Sequence, residues 1–419
     1  MAGFRKLAQM LLDFSEQAAE LARTIRADDG LFQLLVEEKT GEQKNTRFAR
    51  DFKTLADVLI QQTLCHKVEK EFPELTGRVF GEECAVFSNV VGETITVTVQ
   101  ETEHQTAQLL TKILDGNVNA ANTLAQVVHR TDISANKKLP DVLPEIPLDH
   151  VAIWIDPIDS TAEYIFGDTE GSENLSSKIS GLPCVTVLIG VFLVHNGAPV
   201  LGIINQPFLH LAPRDSSKGR RLYESGGAYI GVTQFCSGGV HSTEASGEVA
   251  PLQQVMISSS ERLDVQERLS GAGIKCVEAA GAGYKCLAVI TQQAQLYICS
   301  KGSTYMWDTC APHSILLSNG GGIIPFTSLK YFATESPPDH LKYQTLYTHP
   351  SLQSVAADSG VAAGTAAADT DVADTGDHAP STDTSNEATK SSIAPFCNSQ
   401  GIVAYQNVEH LYKIAKILV

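Results

Sequence analysis

The sequence predicts a layered α/β protein with mixed sheets. Three observations carry this: an amphipathic opening segment, an alternating hairpin, and a buried strand that runs into acidic residues. Leu7, Leu11, Phe14, Ala18 and Leu21 recur at three- and four-residue spacing, so they share one helix face. A second helix is expected over 46–70, with Phe48, Phe52, Leu55 and Leu59 as its stripe and Asp57 at the stripe's edge. Residues 93–99 alternate polar and apolar, as a half-buried strand does. His150 to Ile155 read as a buried strand that delivers Asp156. Between 184 and 206, Val185, Val187, Ile189 and Val191 alternate, Asn196-Gly197 turns the chain, and Val200 to Ile204 returns. Gly320-Gly321-Gly322 marks a helix end and turn. Ile402-Val403-Ala404 reads as a strand, and Val408 to Val419 as a closing helix.

A chain of 419 residues suits two lobes, expected at 1–206 and 207–419. Residues 354–393 interrupt the second. They are rich in Ala, Ser, Thr, Asp and Gly and contain no aromatic residue. Six Asp and one Glu against one Lys leave them at −6. Such a stretch buries too little apolar surface to offset its ordering entropy, so a disordered acidic insertion is expected there.

The net charge of −17 argues against nucleic acid or an anionic membrane as a partner. It would also repel a phosphorylated substrate at long range, so a phosphate site needs local cations. Nine scattered Cys without a CxxC pair fit neither a disulfide framework nor a zinc ribbon. No signal-peptide pattern opens the chain, and no stretch has the ~20 apolar residues of a membrane span. A cytoplasmic monomer acting on a small molecule is expected. There is no GxxxxGK[ST] or GxGxxG motif.

Three acidic clusters carry the chemistry: Gly81-Glu82-Glu83, Asp156-Pro157-Ile158-Asp159-Ser160-Thr161 and Trp307-Asp308-Thr309-Cys310-Ala311. In the second, a buried strand ends at Asp156, Pro157 stops its ladder, and Asp159 emerges beyond it. Two carboxylates so close repel each other unless a cation sits between them. Mg²⁺ takes oxygen ligands, and two Asp side chains with the Ile158 carbonyl offer them. A helix opening at Ser160-Thr161 would present free N–H groups to a phosphate. Taken singly, Asp156 to Thr161 and Trp307-Asp308 read rather as capped helix starts, and Gly81-Glu82-Glu83 as a solvated acidic turn. Together they make a specific signature. Cys84, Cys310 and His313 sit within or near the motifs and read as structural residues.

The pattern Asp57, Glu82-Glu83, Asp156-Pro-Ile-Asp159-Ser-Thr161 and Trp307-Asp-Thr-Cys-Ala311 resembles the lithium-sensitive, magnesium-dependent phosphomonoesterases of the inositol monophosphatase and fructose-1,6-bisphosphatase type. The resemblance spans nearly all the chain outside the insertion. It implies an α-β-α-β-α layered sandwich and two to three Mg²⁺ ions. Glu82, Asp156 and the Ile158 carbonyl would hold one ion, Asp156, Asp159 and Asp308 a second, and Glu82 with water a third. Thr161, oriented by Asp57, would position and help deprotonate the attacking water, with Glu82 also in the catalytic set. Asp57 would also affect lithium sensitivity. Asp159, Ser160, Thr161, Ser260, Arg262, Gly281, Ala282, Lys285 and Ser303 would contact substrate. Lys285 is expected on the non-reacting phosphate, and Arg262 stands where the resemblance leads one to expect Lys. The implied reaction removes the 1-phosphate of inositol 1,4-bisphosphate and inositol 1,3,4-trisphosphate. The alternative is a nucleotidase acting on 3′-phosphoadenosine 5′-phosphate.

Overall fold

The computed structural model describes residues 3–27, 36–38, 52–88, 92–167, 178–211, 223–233, 235–236, 239–240, 251–352 and 394–419. The expected insertion at 354–393 and Phe48 lie outside the described residues. Ten helices organise the described chain: α1 Gly3–Ala27, α2 Leu55–Glu71, α3 Glu103–Ile113, α4 Val118–His129, α5 Thr161–Phe166, α6 Leu263–Gly271, α7 Ala282–Ile290, α8 Met306–Ser318, α9 Leu329–Phe332 and α10 Val408–Leu418. Eleven strands build its two large sheets: β1 Val79–Gly81, β2 Val151–Asp159, β3 Lys178–Ile179, β4 Thr186–Leu193, β5 Pro199–Leu211, β6 Tyr223–Val232, β7 Gln254–Ile257, β8 Lys275–Ala279, β9 Leu296–Cys299, β10 Gly322–Pro325 and β11 Ile402–Tyr405.

The first sheet runs β6-β5-β4-β2-β1, antiparallel except for β1 beside β2. The second runs β10-β11-β9-β7-β8-β3. Its β9, β7, β8 and β3 are parallel, and β11 and β10 join antiparallel. Helices α1 and α2 cover the outer face of the first sheet, where Leu7, Leu11, Leu59, Ile153, Ile189 and Ile203 form one core. Helices α7 and α8 fill the space between the sheets. Leu188, Ile204, Ala311 and Ile315 pack on one side of them, and Met256, Tyr297, Leu316 and Ala404 on the other. Helices α6, α9 and α10 close the far face over Val255, Ile257, Leu411 and Ile414. Val255 and Met256 point to opposite layers, as the two-residue period of a strand requires. The layers are α-β-α-β-α.

Two local expectations change. The second helix starts at Leu55, and 52–54 form a short strand instead of helix. Thr54 ends that strand and caps the helix, because Asp57 at its third position accepts from the Thr54 N–H at 2.7 Å and from its hydroxyl at 2.6 Å. A capping box defeats a periodicity argument that ran on through it. Pro157 does not end β2 either. The ladder continues past it to Asp159↔Thr186, with a register irregularity after Asp156↔Leu188. A bulge is where a strand tolerates a residue that has no N–H.

The central helix α8 lies unusually close to the first sheet. Gly190, Gly202 and Gly231 are cross-strand neighbours beneath it. A Cβ on Gly190 would sit 2.6 Å from Cys310 Sγ, one on Gly231 2.6 Å from Ile315 Cα, and one on Gly202 would overlap the Ala311 carbonyl. Three adjacent glycines thus form a trough that takes the helix backbone. From its other side, α8 is held by His313, whose ring bonds the Tyr347 hydroxyl at 3.0 Å and the Gln344 side-chain amide oxygen Oε1 at 2.9 Å. Burial lowers the His313 pKa to about 4.

Two outcomes test this seat. Gly202→Ala should cost roughly 1–3 kcal/mol in denaturant unfolding, by overpacking. Gly271→Ala, where a Cβ meets nothing within 4 Å, should leave stability unchanged or slightly raised. Second, the unfolded state takes up a proton at His313 below its ordinary pKa of about 6.5. The folded state does so only near pH 4. Stability from this group is therefore full above pH 6.5 and falls as the pH drops toward 4. In chelator, the advantage of wild type over His313→Gln should shrink by ~3 kcal/mol across that window.

Candidate active site

Five strand ends converge on the candidate site. The parallel pair β1 and β2 deliver Glu82 and the Asp156–Asp159 segment beyond or at their carboxyl ends. In the second sheet, the carboxyl ends of β7, β8 and β9 lead to Ser260 and Arg262, to Gly281 and Ala282, and to Ser303. Carboxyl ends of parallel strands are where open α/β sheets bind their ligands.

At the centre, carboxylate oxygens of Asp156, Asp159 and Asp308 lie within 4.8 Å of one another, and all three residues are buried. Each is fixed differently. Asp156 Oδ1 accepts from the Ile158 N–H at 3.1 Å, across the bulge that Pro157 creates. Asp308 is the third residue of α8, and its Oδ2 accepts from the Tyr305 N–H at 2.6 Å. Asp159 receives three bonds: from Gly283 N–H at 2.8 Å, Ala282 N–H at 3.2 Å and the Thr186 hydroxyl at 3.1 Å. The first turn of α7 thus caps the Asp159 carboxylate, a favourable place for negative charge. A Cβ on Gly281 would sit 2.8 Å from Asp159 Oδ2, and one on Gly283 2.9 Å from it. The Gly281-Ala-Gly283 run is what lets the helix reach the carboxylate.

The electrostatics call for a cation. Burial, reinforced by Glu82, Asp159 and Asp308, holds Asp156 well above the usual carboxylate range. Burial, with Asp159 and Glu82, does the same to Asp308. Asp159 is also raised by burial, against the lowering effects of Lys285 and of its backbone and hydroxyl donors. A divalent ion among the three carboxylates would relieve all of them. The oxygen-only donor set suits a hard cation such as Mg²⁺ or Ca²⁺.

The other expected residues fall into two groups. Ser160 stands at φ 73, left-handed for a side chain that ordinarily avoids it, between Asp159 and α5. Such strain costs of order 1–3 kcal/mol and clusters at functional sites. Thr161 donates from its hydroxyl to the Ile158 carbonyl at 3.1 Å. Asp57 is fully buried. Lys285, expected on a second phosphate, is buried instead. Its ammonium donates to the Ala279 carbonyl at 3.0 Å and lies 5.2 Å from the Tyr297 ring centre, and its charge acts on Asp159. Arg262 is exposed and paired with Asp264 at 2.6 Å. Ser303 bonds Cys299 Sγ at 3.1 Å. Ser260 accepts from the Lys301 ammonium through its carbonyl.

Three contributors escaped the sequence reading. Thr186 and Gly283 hold Asp159, and Glu261 braces the β7 and β9 loops by accepting from the Arg262 N–H at 2.8 Å and the Ser300 N–H at 3.0 Å. Gly283 carried a signal, since it completes the Gly-Ala-Gly run. Thr186 and Glu261 carried none, because their partners are 27 and 39 residues away.

The inositol monophosphatase family model matches residues 84–357, well over half of the chain. The chain belongs to the inositol monophosphatase family. It is 42% identical over 354 residues to the inositol polyphosphate 1-phosphatase of Mus musculus, covering 81% of this chain and 87% of that one. With the inositol polyphosphate 1-phosphatase of Homo sapiens it is 40% identical over 351 residues, covering 81% and 87%. A 3'(2'),5'-bisphosphate nucleotidase 1 of Dictyostelium discoideum is 32% identical over 191 residues, covering 44% of this chain and 55% of its own. No helix among the described residues is long and apolar enough to cross a membrane.

Because three buried carboxylates repel one another, Asp308→Asn should raise the thermal midpoint in chelator, since it removes one like charge and keeps an acceptor for Tyr305. The midpoint rise that wild type gains on titration with Mg²⁺ should be largely lost in the variant. An unchanged half-saturating concentration in Asp308→Asn would remove the cluster as a cation site.

Proposed function

We propose that this chain is a magnesium-dependent, lithium-sensitive phosphatase that hydrolyses the 1-phosphate of inositol 1,4-bisphosphate and inositol 1,3,4-trisphosphate. The observation that carries this reading is the 42% identity to an inositol polyphosphate 1-phosphatase over 81% of the chain. The three convergent carboxylates support it with a site of the right chemistry. Six cysteines among the described residues, Cys65, Cys184, Cys276, Cys286, Cys299 and Cys310, are outside any disulfide, which suits a reducing cytoplasm.

In this reading Glu82, Asp156 and the Ile158 carbonyl hold one ion, and Asp156, Asp159 and Asp308 a second. When bound, the cations withdraw charge from the phosphoryl oxygens and make water more acidic. The chain's own groups do the rest. Ser160 and Thr161 orient the scissile phosphate, whose transfer depends on positioning more than on covalent help. The Thr161 hydroxyl aligns the attacking water and, with the buried Asp57 carboxylate, draws off its proton. The 1-phosphate leaves as inorganic phosphate, and the ring oxygen regains a proton. Gly281, Ala282 and Ser303 line the ring side. Of the two candidate cations, exposed Arg262 is the freer to meet a second phosphate by exchanging its Asp264 partner. Lys285 acts from behind, on Asp159.

Phosphate release should be measured from inositol 1,4-bisphosphate, inositol 1,3,4-trisphosphate and 3′-phosphoadenosine 5′-phosphate, with Mg²⁺, with and without lithium. The expected ranking puts both inositol phosphates ahead by kcat/KM, with lithium suppressing turnover. Preferential hydrolysis of the nucleotide would overturn the substrate assignment. No release from any of them would overturn the enzyme reading.

A further inference from the structure

The segment that follows residue 393 is folded against the loop that leads into α8 and Asp308. Asn398 is its centre. Its side-chain amide donates to the Tyr305 carbonyl at 3.0 Å, the Thr304 hydroxyl at 3.1 Å and the Thr309 hydroxyl at 3.2 Å. Its backbone N–H donates to the Thr304 carbonyl at 2.8 Å. Tyr305 and Cys397 form an isolated antiparallel bridge, and the Cys397 thiol donates to the Gly302 carbonyl at 3.2 Å. A Cβ on Gly302 would sit 2.6 Å from Ser399 Cα, so the two backbones are in direct contact.

Tyr305 is the residue whose N–H holds Asp308 Oδ2 at 2.6 Å. Asn398 therefore grips the peptide on either side of Tyr305 and the first turn of α8, by way of Thr309. The Thr309 hydroxyl in turn donates to the Tyr305 carbonyl at 3.1 Å, so the three residues form a closed ring of bonds. We infer that Asn398 is a positioning residue, which sets the orientation of the Asp308 carboxylate for cation binding through Tyr305 and Thr309. It touches neither substrate nor cation. The inference rests on the reading that Asp308 holds a cation. Partners one step behind a metal ligand commonly change metal affinity by about 10- to 100-fold.

The test is a Mg²⁺ titration of the thermal midpoint in full-length wild type, Asn398→Ala, Asn398→Asp, Asp308→Asn and Leu411→Ala, each starting from chelated protein. Leu411→Ala is a destabilised control from the far helical layer. Both Asn398 variants should need about tenfold more Mg²⁺ for half the rise. Leu411→Ala should begin from a lower midpoint and keep the wild-type half-saturation. Asn398→Asp separates geometry from charge, because an added carboxylate would by charge alone strengthen cation attraction. In turnover at saturating Mg²⁺, kcat should fall while KM for the phosphate ester stays near wild type. If Asp308→Asn shifts the half-saturation and the Asn398 variants do not, the inference is wrong and the Asp308 reading stands. If no variant shifts it, both are wrong.

Discussion

The flush seat of α8 in the glycine trough is the constraint on which the rest of the structure depends. Asp308 starts on that helix, whereas Asp156 and Asp159 belong to a strand of the sheet below it. Side chains in the trough would lift the helix by an ångström or more, and the three carboxylates would no longer share one point. The same seat sets the spacing of the layers, since α7 and α8 are sandwiched between the two sheets. Glycine there lowers strand propensity, and the sheet accepts that loss because the row faces a helix backbone instead of solvent. The His313 bonds to Gln344 and Tyr347 close the opposite side, so α8 has no direction left in which to relax.

That rigidity creates the electrostatic problem the site then uses. Three buried carboxylates cannot all ionise side by side without a positive partner. Lys285 supplies one charge from beneath, and the α7 N-terminus supplies partial charge, both directed at Asp159. Asp156 and Asp308 are held well above the usual carboxylate range by burial and by the neighbouring carboxylates. The compensation is thus graded: Asp159 receives donors and positive charge from the protein, Asp156 and Asp308 receive less, and a cation would be shared by all three. In a chain of net charge −17, this grading also explains how a phosphorylated ligand is received. The local field can be reversed only once cations fill the cluster, so cation loading and anion binding are linked by charge.

What the sequence revealed follows from how local each cause is. The long amphipathic α1, the hairpin of β4 and β5, the strand into Asp156 and the closing helix α10 are written in short-range periodicity, and all form as expected. The carboxylate cluster was legible because strand ends and helix starts carry their own residue signals. The helix expected from 46 failed because a Thr54–Asp57 capping box starts it nine residues later, and a stripe of apolar residues does not register a cap. Pro157 misled in the same way: a strand can absorb a proline at a bulge, which no linear pattern shows. Lys285 is expected on the non-reacting phosphate, and its burial behind Asp159 is not legible in the sequence because burial is a tertiary property. Thr186, Glu261 and Asn398 were invisible for the same reason, their partners lying far away along the chain.

The arrangement also separates chemistry from selectivity. Glu82, Asp156, Asp159 and Asp308 are held by strand bulges, a trough and helix ends, all of them backbone devices that tolerate little change. Ser260, Arg262, Lys301 and Ser303 stand on loops after β7 and β9, tied together by Glu261 and by one another. A loop can change a side chain without moving a sheet, so the ligand ring can be chosen there while the cation site stays fixed. This is why the metal motif alone left two substrates open. In the proposed reading, the choice between a ring of hydroxyls and an adenine is made by these loops of the second sheet. Asn398 lies at the joint of these two parts. Its segment leads into β11 of the second sheet and grips the loop before α8, so a change in these loops can reach the Asp308 carboxylate through bonds of this kind.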